Sequence, residues 1–481
     1  MTLDFEIIGK GNIGDKARQL INKTPKLKEI GFHVPIRTVL AEDFFDGFFQ
    51  RNNLGETLSS ADSDMNLELM VKTGSFTKEQ FEALQNVRLS YGTMPLAVRS
   101  SAEGDSMGTG IYKSEFCKNE TDPFKKAVKN VLASYFSLDA ISFRRDAKTG
   151  KGFAINVEPI VGQRFMSSFG PMFSGFGYTS TSKGKGYISV VPGLGGGVNR
   201  RDGEILTREI MNEFNGNLHE YLIDCVDNKF RKIKRKSALV DFDSIDFFRG
   251  RFYGDAFYHN DVAPVSLDFS DELKKDYRKL SMVPLFDMMK KMEDIFGKAQ
   301  YFEWALTSEE GKQKFHMLQI ADANKKLDTL DFEGIENLLF VGNTVTGSGV
   351  KECYTIFNCE NPDDREELSE FNRHNSNYIL KYAGRLVSNL LPSDYRLRYE
   401  HFSNASVFLE IPDAEHVNNP ISHLTGQLDM SGKFFGVLDY DFQTDEMWDR
   451  FNSRTNGKFY SGKMHVHASE KQDKIVIAAL D

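Results

Sequence analysis

The sequence predicts an α/β protein of the α+β kind that is divided into two domains. Helix-type and strand-type apolar patterns alternate irregularly along its 481 residues, and 40 Phe, 17 Tyr and 2 Trp provide side chains for sizeable cores. A polar stretch at 321–337 separates two such patterned regions. We therefore expect a larger domain at 1–328 and a smaller β/α domain at 336–481.

The larger domain is predicted to begin with a strand at Phe5–Ile8, a glycine-rich turn and a helix at Asp15–Ile30. Apolar residues three or four positions apart predict its later helices, and short apolar runs predict its strands. The further predicted strands are 33–40, 94–102, 153–161, 186–191, 302–306 and 314–320, and the further helices are 121–147 and 271–296. In the smaller domain we expect a helix at 375–390, strands at 406–410 and 434–439, and a hairpin near 458–479.

The composition argues against several classes of protein. The chain has 60 Lys+Arg and 69 Asp+Glu, a net charge of −9, which does not suit a nucleic-acid-binding protein. No apolar run approaches the ~20 residues that span a bilayer, and the N-terminus lacks the pattern of a signal peptide. Four cysteines in so long a chain do not form a disulfide framework. We expect a cytoplasmic protein with no nucleic-acid or membrane partner.

The glycine-rich turn Gly9–Gly14 fits the pattern G-x-G-x-x-G. A dinucleotide site also needs an acidic residue at the end of the next strand, and none occurs before Glu42. We therefore do not expect a dinucleotide site. The turn has two interpretations: backbone N–H groups, with Lys16 in the first helical turn, can face a phosphate, or the turn is an ordinary solvated helix start.

A second motif lies at 94–119, where the apolar strand MPLAV ends at Arg99. An arginine at such a place is costly unless it meets an anion. Gly104, Gly108 and Gly110 follow, and glycines allow close approach of the backbone. The segment suits a clamp for a polyphosphate, and the alternative interpretation is an ordinary surface hairpin.

A third motif consists of Glu303 and Gln319 on two adjacent predicted strands. Carboxylate and amide oxygens that face one cavity can hold Mg2+ together with phosphate. The alternative interpretation of this pair is an ordinary surface hairpin.

The order and spacing of these motifs resemble the N-terminal ATP-grasp domain of phosphoenolpyruvate synthase and pyruvate phosphate dikinase over residues 1–325. The resemblance implies a two-lobed ATP-grasp fold that clamps ATP between its lobes, with Mg2+ neutralising the phosphates. The matching segments are IGDKARQL (13–20), GFHVPIRTVLA (31–41), AVRSSA (97–102), GTGIYKSEF (108–116), ASYFSLDAISFRR (133–145), VGQRF (161–165), FGPMFSGF (169–176), GLGGGVN (193–199), FEWAL (302–306) and HMLQI (316–320).

The resemblance also implies a role for each matching position. Lys16 and Arg99 would contact the phosphates, the glycine loop would cover them, the run at 163–166 would form the adenine hinge, and Glu303 with Gln319 would bind Mg2+. The implied ATP-site residues are Lys16, Arg99, Gly108, Gly110, Gln163, Arg164, Phe165, Met166, Glu303 and Gln319.

Two positions depart from the family's pattern. The family usually has an arginine two residues after the glutamine, where this chain has Ala321, and an acid two residues before the glutamate, where it has Tyr301. Loss of an arginine that stabilises the transition state raises the activation free energy by on the order of several kcal/mol, unless another cation substitutes for it.

The smaller domain resembles a diverged phosphohistidine swivelling domain. Its segment at 419–437 resembles the histidine loop and places His423 at the phosphorylated position. The family's preceding glycines are replaced by Asn418, Asn419 and Pro420, and its downstream arginine by Asp429. The alternative is a helix-capping serine beside an ordinary surface histidine.

The resemblance implies an ATP-dependent phosphotransferase of the dikinase type, with ATP and Mg2+ as cofactors and with His423 and Arg99 as catalytic residues. The acceptor would be a small molecule, and a partner chain or a homodimer is possible. Since the chain stops at Asp481, we expect no pyruvate-binding barrel. The alternatives are an ATP-binding regulatory or scaffold protein with a decayed site, and a simple ATP-grasp kinase or ligase that forms ADP.

Overall fold

The structure is a computed structural model in which the chain forms two compact units. The first contains Met1–Ile141 and Thr149–Asn324, and the second contains Ser142–Lys148 and Lys325–Asp481. The predicted domain limits, 1–328 and 336–481, stay a prediction. The residues that the structure describes are 4–54, 65–104, 111–148, 152–165, 168–179, 187–194, 204–207, 221–224, 229–232, 245–254, 256–259, 265–267, 282–323, 330–383, 386, 397–411, 432–438, 442–469, 472 and 474–480.

The first sheet has five strands in the order β1-β2-β5-β3-β4. They are β1 (Phe5–Ile8), β2 (Arg37–Leu40), β3 (Leu96–Ala102), β4 (Ser114–Cys117) and β5 (Phe153–Pro159). β1 and β2 are parallel, and the other neighbours are antiparallel. Every residue of β3 except Arg99 is buried. The buried apolar residues of β3 therefore fix the position of its one charged residue, Arg99.

Three further sheets are described in the first unit, and one of them has only two strands. The second has the order β10-β9-β8-β16-β17, and the third has the order β14-β13-β7-β6 with β15 on β13. Their strands are β6 (Gln163–Phe165), β7 (Ser168–Gly170), β8 (Phe173–Tyr178), β9 (Tyr187–Pro192), β10 (Glu204–Thr207), β13 (Ile245–Tyr253), β14 (Ala256–His259), β15 (Val265–Leu267), β16 (Gln300–Glu309) and β17 (Lys312–Asp322). Two more strands, β11 (Tyr221–Asp224) and β12 (Lys229–Lys232), pair with each other.

Helix α1 (Gly14–Ile30) packs against both of the first two sheets. Ala17 joins a small core with Val39 and Ala154 of the first sheet, whereas Leu20 belongs to the large core that contains Trp304 of the second sheet. One helix thus fixes the two sheets relative to each other. The other helices before the second unit's barrel are α2 (Asp46–Arg51), α3 (Met65–Thr73), α4 (Lys78–Ser90), α5 (Thr121–Ser134), α6 (Leu138–Ala147) and α7 (Val283–Phe296).

The second unit is built on a closed barrel in the order β18-β22-β21-β20-β19-β23-β24. The neighbours from β19 through β20 and β21 to β22 are parallel, and the rest are antiparallel. Its elements are β18 (Leu338–Thr346), β19 (Gly349–Cys359), α8 (Asp364–His374), β20 (Tyr378–Ala383), β21 (Ala405–Ile411), β22 (Phe434–Leu438), α9 (Asp445–Asn452), β23 (Phe459–Ser469) and β24 (Lys474–Ala479). Aliphatic side chains from every strand of the barrel contribute to the core inside it.

The predicted α/β class is confirmed, and most strands lie where the apolar runs indicated. The helix predicted at 375–390 is wrong because its apolar run, Tyr378–Ala383, is the buried parallel strand β20. Short apolar runs do not distinguish a buried strand from a helix. The single helix predicted at 121–147 is two helices, α5 and α6. The helix predicted at 271–296 is described only from Val283 onward.

Among the described residues, no helix combines the length and the apolar character that crossing a lipid bilayer requires.

Candidate active site

Arg99 is the centre of the candidate site. It lies on β3 with a side chain that is 17% exposed, and its Nε donates a hydrogen bond to Glu158 Oε1 at 2.9 Å. Its Nη1 lies 3.5 Å from Oε2 of Glu303 on the second sheet. Arg99 therefore contacts one carboxylate of its own sheet, Glu158, and bridges to the second sheet through another, Glu303.

Glu158 on β5 is shared between two arginines. Its side chain is 2% exposed, and it forms a second ion pair with Arg37 on β2. Burial lowers the pKa of Arg37, and the Glu158 carboxylate opposes that shift. Because a buried charge is tolerated only when it is paired, Glu158 stabilises both cations. The sequence motifs did not indicate this ion pair, although a charged residue inside each of two apolar strands was a visible signal.

Glu303 and Gln319 lie directly opposite each other on β16 and β17, as the sequence predicted for adjacent strands. The register shifts immediately after Glu303, where Trp304 is opposite Met317. This β-bulge leaves Leu318 as the extra residue, and its carbonyl oxygen accepts a hydrogen bond from Arg37 at 3.1 Å. The bulge thus connects the Glu303–Gln319 pair to the same charged cluster.

Lys16 lies in the first turn of α1 and is half-buried. The next residue, Ala17, donates its backbone N–H to the hydroxyl of Ser101 at 3.0 Å, and that hydroxyl donates to the carbonyl of Ile13 at 2.8 Å. Ser101 is two residues beyond Arg99 on β3. The start of α1 and the strand that carries Arg99 are therefore fastened together by one buried hydroxyl.

The glycine-rich turn before α1 does not present all its N–H groups to a ligand. The backbone N–H groups of Lys10 and Gly11 donate to the carboxylate of Asp43, and these hydrogen bonds hold the pKa of that carboxyl below its usual value. Gly14 has φ = +68°, and a Cβ there would lie 1.9 Å from the carbonyl oxygen of Ser101. The turn thus serves the close packing of α1 on β3, which favours the structural interpretation of the motif.

The comparison with known families identifies this chain. The family model for the AMP/ATP-binding domain of pyruvate phosphate dikinase matches residues 11–329. The chain belongs to this family. The resemblance that the motifs indicated is thereby confirmed, together with the ATP-grasp type of the larger domain. No curated protein matches the chain.

Membership in the pyruvate phosphate dikinase family gives the general activity. The protein binds ATP and is an ATP-dependent phosphotransferase, that is, a kinase of the dikinase family. The matched range contains the cluster of Arg99, Glu158, Glu303 and Gln319, so the charged bridge between the two sheets lies in the nucleotide-binding domain.

The two residues that differ from the dikinase family's pattern, Tyr301 and Ala321, lie opposite each other in the structure. Tyr301 and Ala321 are a cross-strand pair on β16 and β17. Tyr301 is 2% exposed, and its hydroxyl donates to Glu303 Oε1 at 3.2 Å. Where the family usually has an acid and an arginine, this chain has one large ring opposite a small residue. The hydroxyl thus occupies one oxygen of Glu303, while Arg99 faces the other.

The predicted adenine-hinge residues lie on the edge strand β6. Gln163 accepts a hydrogen bond from the N–H of Ser308, and the ring of Phe165 is part of the large core. The exposed guanidinium of Arg164 lies over the ring of Phe252 at 4.7 Å. The side chains of Gln163 and Phe165 are therefore directed into the protein, and a base at this strand would meet its backbone. Gly108, Gly110, Met166 and His423 lie outside the described residues.

The donor set at Glu303 and Gln319 fits a magnesium ion. Mg2+ prefers oxygen ligands and usually takes only one or two from the protein, with phosphate and water supplying the rest. Glu303 is 17% exposed, whereas Gln319, at 6%, is buried. Mg2+ held by these oxygens would neutralise part of the charge of a triphosphate, and Arg99 would contact a phosphate oxygen beside it.

Proposed function

We propose that this protein transfers the β-phosphoryl group of ATP through a phosphohistidine to a small-molecule acceptor, with release of AMP and phosphate. Lys16 and Arg99 would bind the phosphates, Glu303 and Gln319 would bind Mg2+, and the backbone at 163–166 would bind adenine. His423 would carry the phosphoryl group.

The observation that supports this proposal most strongly is the contact between Arg99 and Glu303. A cation suited to phosphate and a carboxylate suited to Mg2+ lie 3.5 Å apart, on strands from two different sheets. Without ligand they neutralise each other. When MgATP binds, the phosphates would replace Glu303 as the partner of Arg99, and Mg2+ would replace Arg99 as the partner of Glu303. Neither charge would then be left unpaired.

The proposed chemistry divides one displacement into two. The imidazole of His423 attacks the β-phosphorus, the bond between that phosphorus and the α–β bridging oxygen breaks, and AMP leaves. Water then removes the γ-phosphate, so that one phosphoryl group remains on the histidine for transfer to the acceptor. Arg99, held in place by Glu158, would oppose the negative charge that develops on the phosphoryl oxygens.

A second candidate function is ATP binding without turnover, as in a regulatory or scaffold protein. The pair Tyr301 and Ala321 favours it, because no guanidinium stands where the dikinase family usually has one. A third candidate is a one-step kinase or ligase that forms ADP.

Product analysis with ATP labelled at the β- or the γ-phosphate separates these functions. We expect AMP, labelled phosphate from the γ-position and label from the β-position on the protein, and we expect His423→Asn to abolish all three. His465→Asn, which changes a partly exposed histidine of β23, is the matched control and should retain them. Formation of ADP alone would favour the one-step kinase, and nucleotide binding with no product would favour the regulatory protein.

A further inference from the structure

Asn156 is a buried polar residue next to the charged cluster, and the proposed function does not use it. It lies in β5 between Ile155 and Val157 and is 2% exposed. Its amide oxygen is buried and accepts no hydrogen bond from any residue that the structure describes. A buried acceptor without a partner destabilises the folded state, so a partner in another state of the protein would explain it.

The strand register places Asn156 beside Arg99. The two residues are directly opposite each other on β5 and β3, so their side chains lie on the same face of the sheet. Glu158, two residues further along β5, lies on that face too and accepts the hydrogen bond from Arg99 Nε. On β2, the residue opposite Asn156 is Val39. Of the two residues directly opposite Asn156, only Arg99 therefore has side-chain donors.

In the structure, the guanidinium of Arg99 leans along β3 toward Ala97. It contacts Glu158, and it lies 5.7 Å from the centre of the Phe116 ring. Glu158 and Phe116 are the two residues opposite Ala97, which precedes Arg99 by two positions on β3. The guanidinium is thus displaced from the cross-strand position where Asn156 lies.

The donors of Arg99 exceed the acceptors that it meets. Among the described residues, the guanidinium forms one hydrogen bond, from Nε to Glu158. The contact of its Nη1 with Glu303, at 3.5 Å, is longer than a hydrogen bond and is an ion pair only. Since Glu303 would bind Mg2+ in the complex with MgATP, that ion pair would end and the guanidinium could turn. Its Nη groups would then be available to Asn156.

We propose that Asn156 is a positioning residue that holds Arg99 in the complex with MgATP. In that complex, an Nη group of Arg99 donates a hydrogen bond to the amide oxygen of Asn156, and Nε stays on Glu158. The other N–H groups of the guanidinium face the phosphates. This inference rests on the proposed contact between Arg99 and the phosphates, but it does not depend on a phosphohistidine.

Asn156→Val tests the proposal because it should affect stability and affinity in different directions. Valine suits a buried strand and removes the unpaired oxygen, so the melting temperature of the free protein should stay the same or rise. Affinity for a non-hydrolysable ATP analogue with Mg2+, measured by calorimetric titration, should fall about tenfold or more, since the bound state loses a hydrogen bond to a charged group.

Asn156→Ala is a second variant that cannot overfill the site. It should lower the affinity for the analogue by a similar factor, whatever its effect on the melting temperature. An unchanged affinity in both variants would overturn the proposal. So would a parallel loss of stability and affinity in both, since that result is expected of a residue with a structural role alone.

Arg99→Gln distinguishes failure of this inference from failure of the proposed function. If Asn156 acts through Arg99, Asn156→Val should weaken binding no further in the Arg99→Gln background. Additive losses would show that Asn156 acts independently of Arg99 and would overturn the positioning role. If Arg99→Gln alone leaves the affinity unchanged, the proposed phosphate contact fails and the inference fails with it. If Arg99→Gln weakens binding and Asn156→Val does not, only the inference fails.

Tyr460→Phe is the matched control. The Tyr460 hydroxyl is also buried without a hydrogen-bond partner among the described residues, but it lies on β23, outside the matched nucleotide-binding domain. Its removal should not lower the melting temperature, and it should leave the affinity for the analogue unchanged. Equal losses of affinity in Tyr460→Phe and Asn156→Val would overturn the proposal.

Discussion

At the scale of single residues, Glu158 holds the two arginines of the candidate site. We expect Glu158→Gln to lower the free energy of unfolding of the first unit by about 3–5 kcal/mol, since it leaves the buried Arg37 without its counter-charge and removes one of the two carboxylates that face Arg99. Urea denaturation followed by fluorescence measures this change. ATP affinity should fall as well, because Arg99 loses the contact that orients it.

Glu82→Gln is a suitable control for Glu158. Glu82 is 63% exposed and lies 3.9 Å from Lys78 on the surface of α4. An exposed pair of this kind contributes at most about 0.5 kcal/mol. An equal loss of stability in both variants would contradict the role assigned to Glu158.

Tyr301 allows a separate prediction about the metal site. Tyr301→Phe keeps the ring against Ala321 and removes only the hydroxyl that donates to Glu303. Groups that orient a metal ligand typically contribute 10- to 100-fold to metal affinity. We expect binding of Mn2+, measured by electron paramagnetic resonance with a non-hydrolysable ATP analogue, to weaken by about that factor.

Tyr354→Phe is the matched control for Tyr301→Phe. Tyr354 also donates to a glutamate two residues away on its strand, Glu352, but it is in the barrel of the second unit. Mn2+ binding should not change in this variant. If Tyr301→Phe also leaves it unchanged, the hydroxyl does not position Glu303.

The sequence motifs singled out three residues that the structure brings together, Arg99, Glu303 and Gln319, and their role in the site stays a prediction. Two of their charged neighbours were not singled out, for a physical reason. These are Glu158 and Arg37, whose proximity depends on strand order: β5 lies between β2 and β3 although it follows both in the chain. Apolar patterns locate strands but do not reveal which strands are neighbours.

At the scale of elements, Ser101 attaches α1 to β3, since its hydroxyl hydrogen-bonds both Ala17 and Ile13 at the start of the helix. Ser101→Ala would leave the N–H of Ala17 and the carbonyl of Ile13 without this partner. We expect a loss of about 1–3 kcal/mol in the free energy of unfolding and weaker ATP binding, since Lys16 lies beside this contact. Thermal unfolding and calorimetric titration with ATP measure the two effects.

Thr77→Ala distinguishes the loss of a helix cap from damage to the site. Thr77 caps α4 through a capping box with Gln80, and its removal should cost about 1 kcal/mol. Since α4 carries none of the proposed ATP-binding residues, ATP affinity should not change. Equal effects of the two variants on ATP affinity would contradict the link between Ser101 and Lys16.

The wrong prediction at 375–390 has a cause at the same scale. Lys381 and its neighbours in β20 are buried by strands on both sides, so the run has no polar face with a period of two residues. A strand in the parallel part of a barrel gives a continuous apolar run. Nothing in the local sequence of such a run shows which strands it pairs with. Its strand conformation is therefore determined only when the barrel assembles.

At the scale of the whole molecule, we expect two half-buried histidines, His316 and His401, to lower the stability at low pH. Burial lowers the pKa of His316 in the first unit, and of His401 in the second, from 6.5 to about 4. The unfolded chain therefore binds these protons at higher pH than the folded chain does. Stability from this source is complete above about pH 6.5 and falls as the pH decreases toward 4.

We expect the melting temperature of the protein to fall between pH 6.5 and pH 4, and His316→Gln to flatten that dependence for the first unit. His374→Gln is the control, since His374 is 70% exposed on α8. Differential scanning calorimetry across this range gives the result. A dependence that is as steep in His316→Gln as in the unmodified protein would show that His316 does not contribute to it.

The barrel's closure through β24 has a consequence for biosynthesis. Strand β18 pairs with β22 and β24, and both of these follow it by a long stretch of chain. At about 5–20 residues per second, β18 leaves the ribosome several seconds or more before either partner exists. During that interval the backbone N–H and C=O groups of β18 can pair with other nascent chains. Slow translation or a shortage of chaperones should therefore reduce the yield of the second unit first.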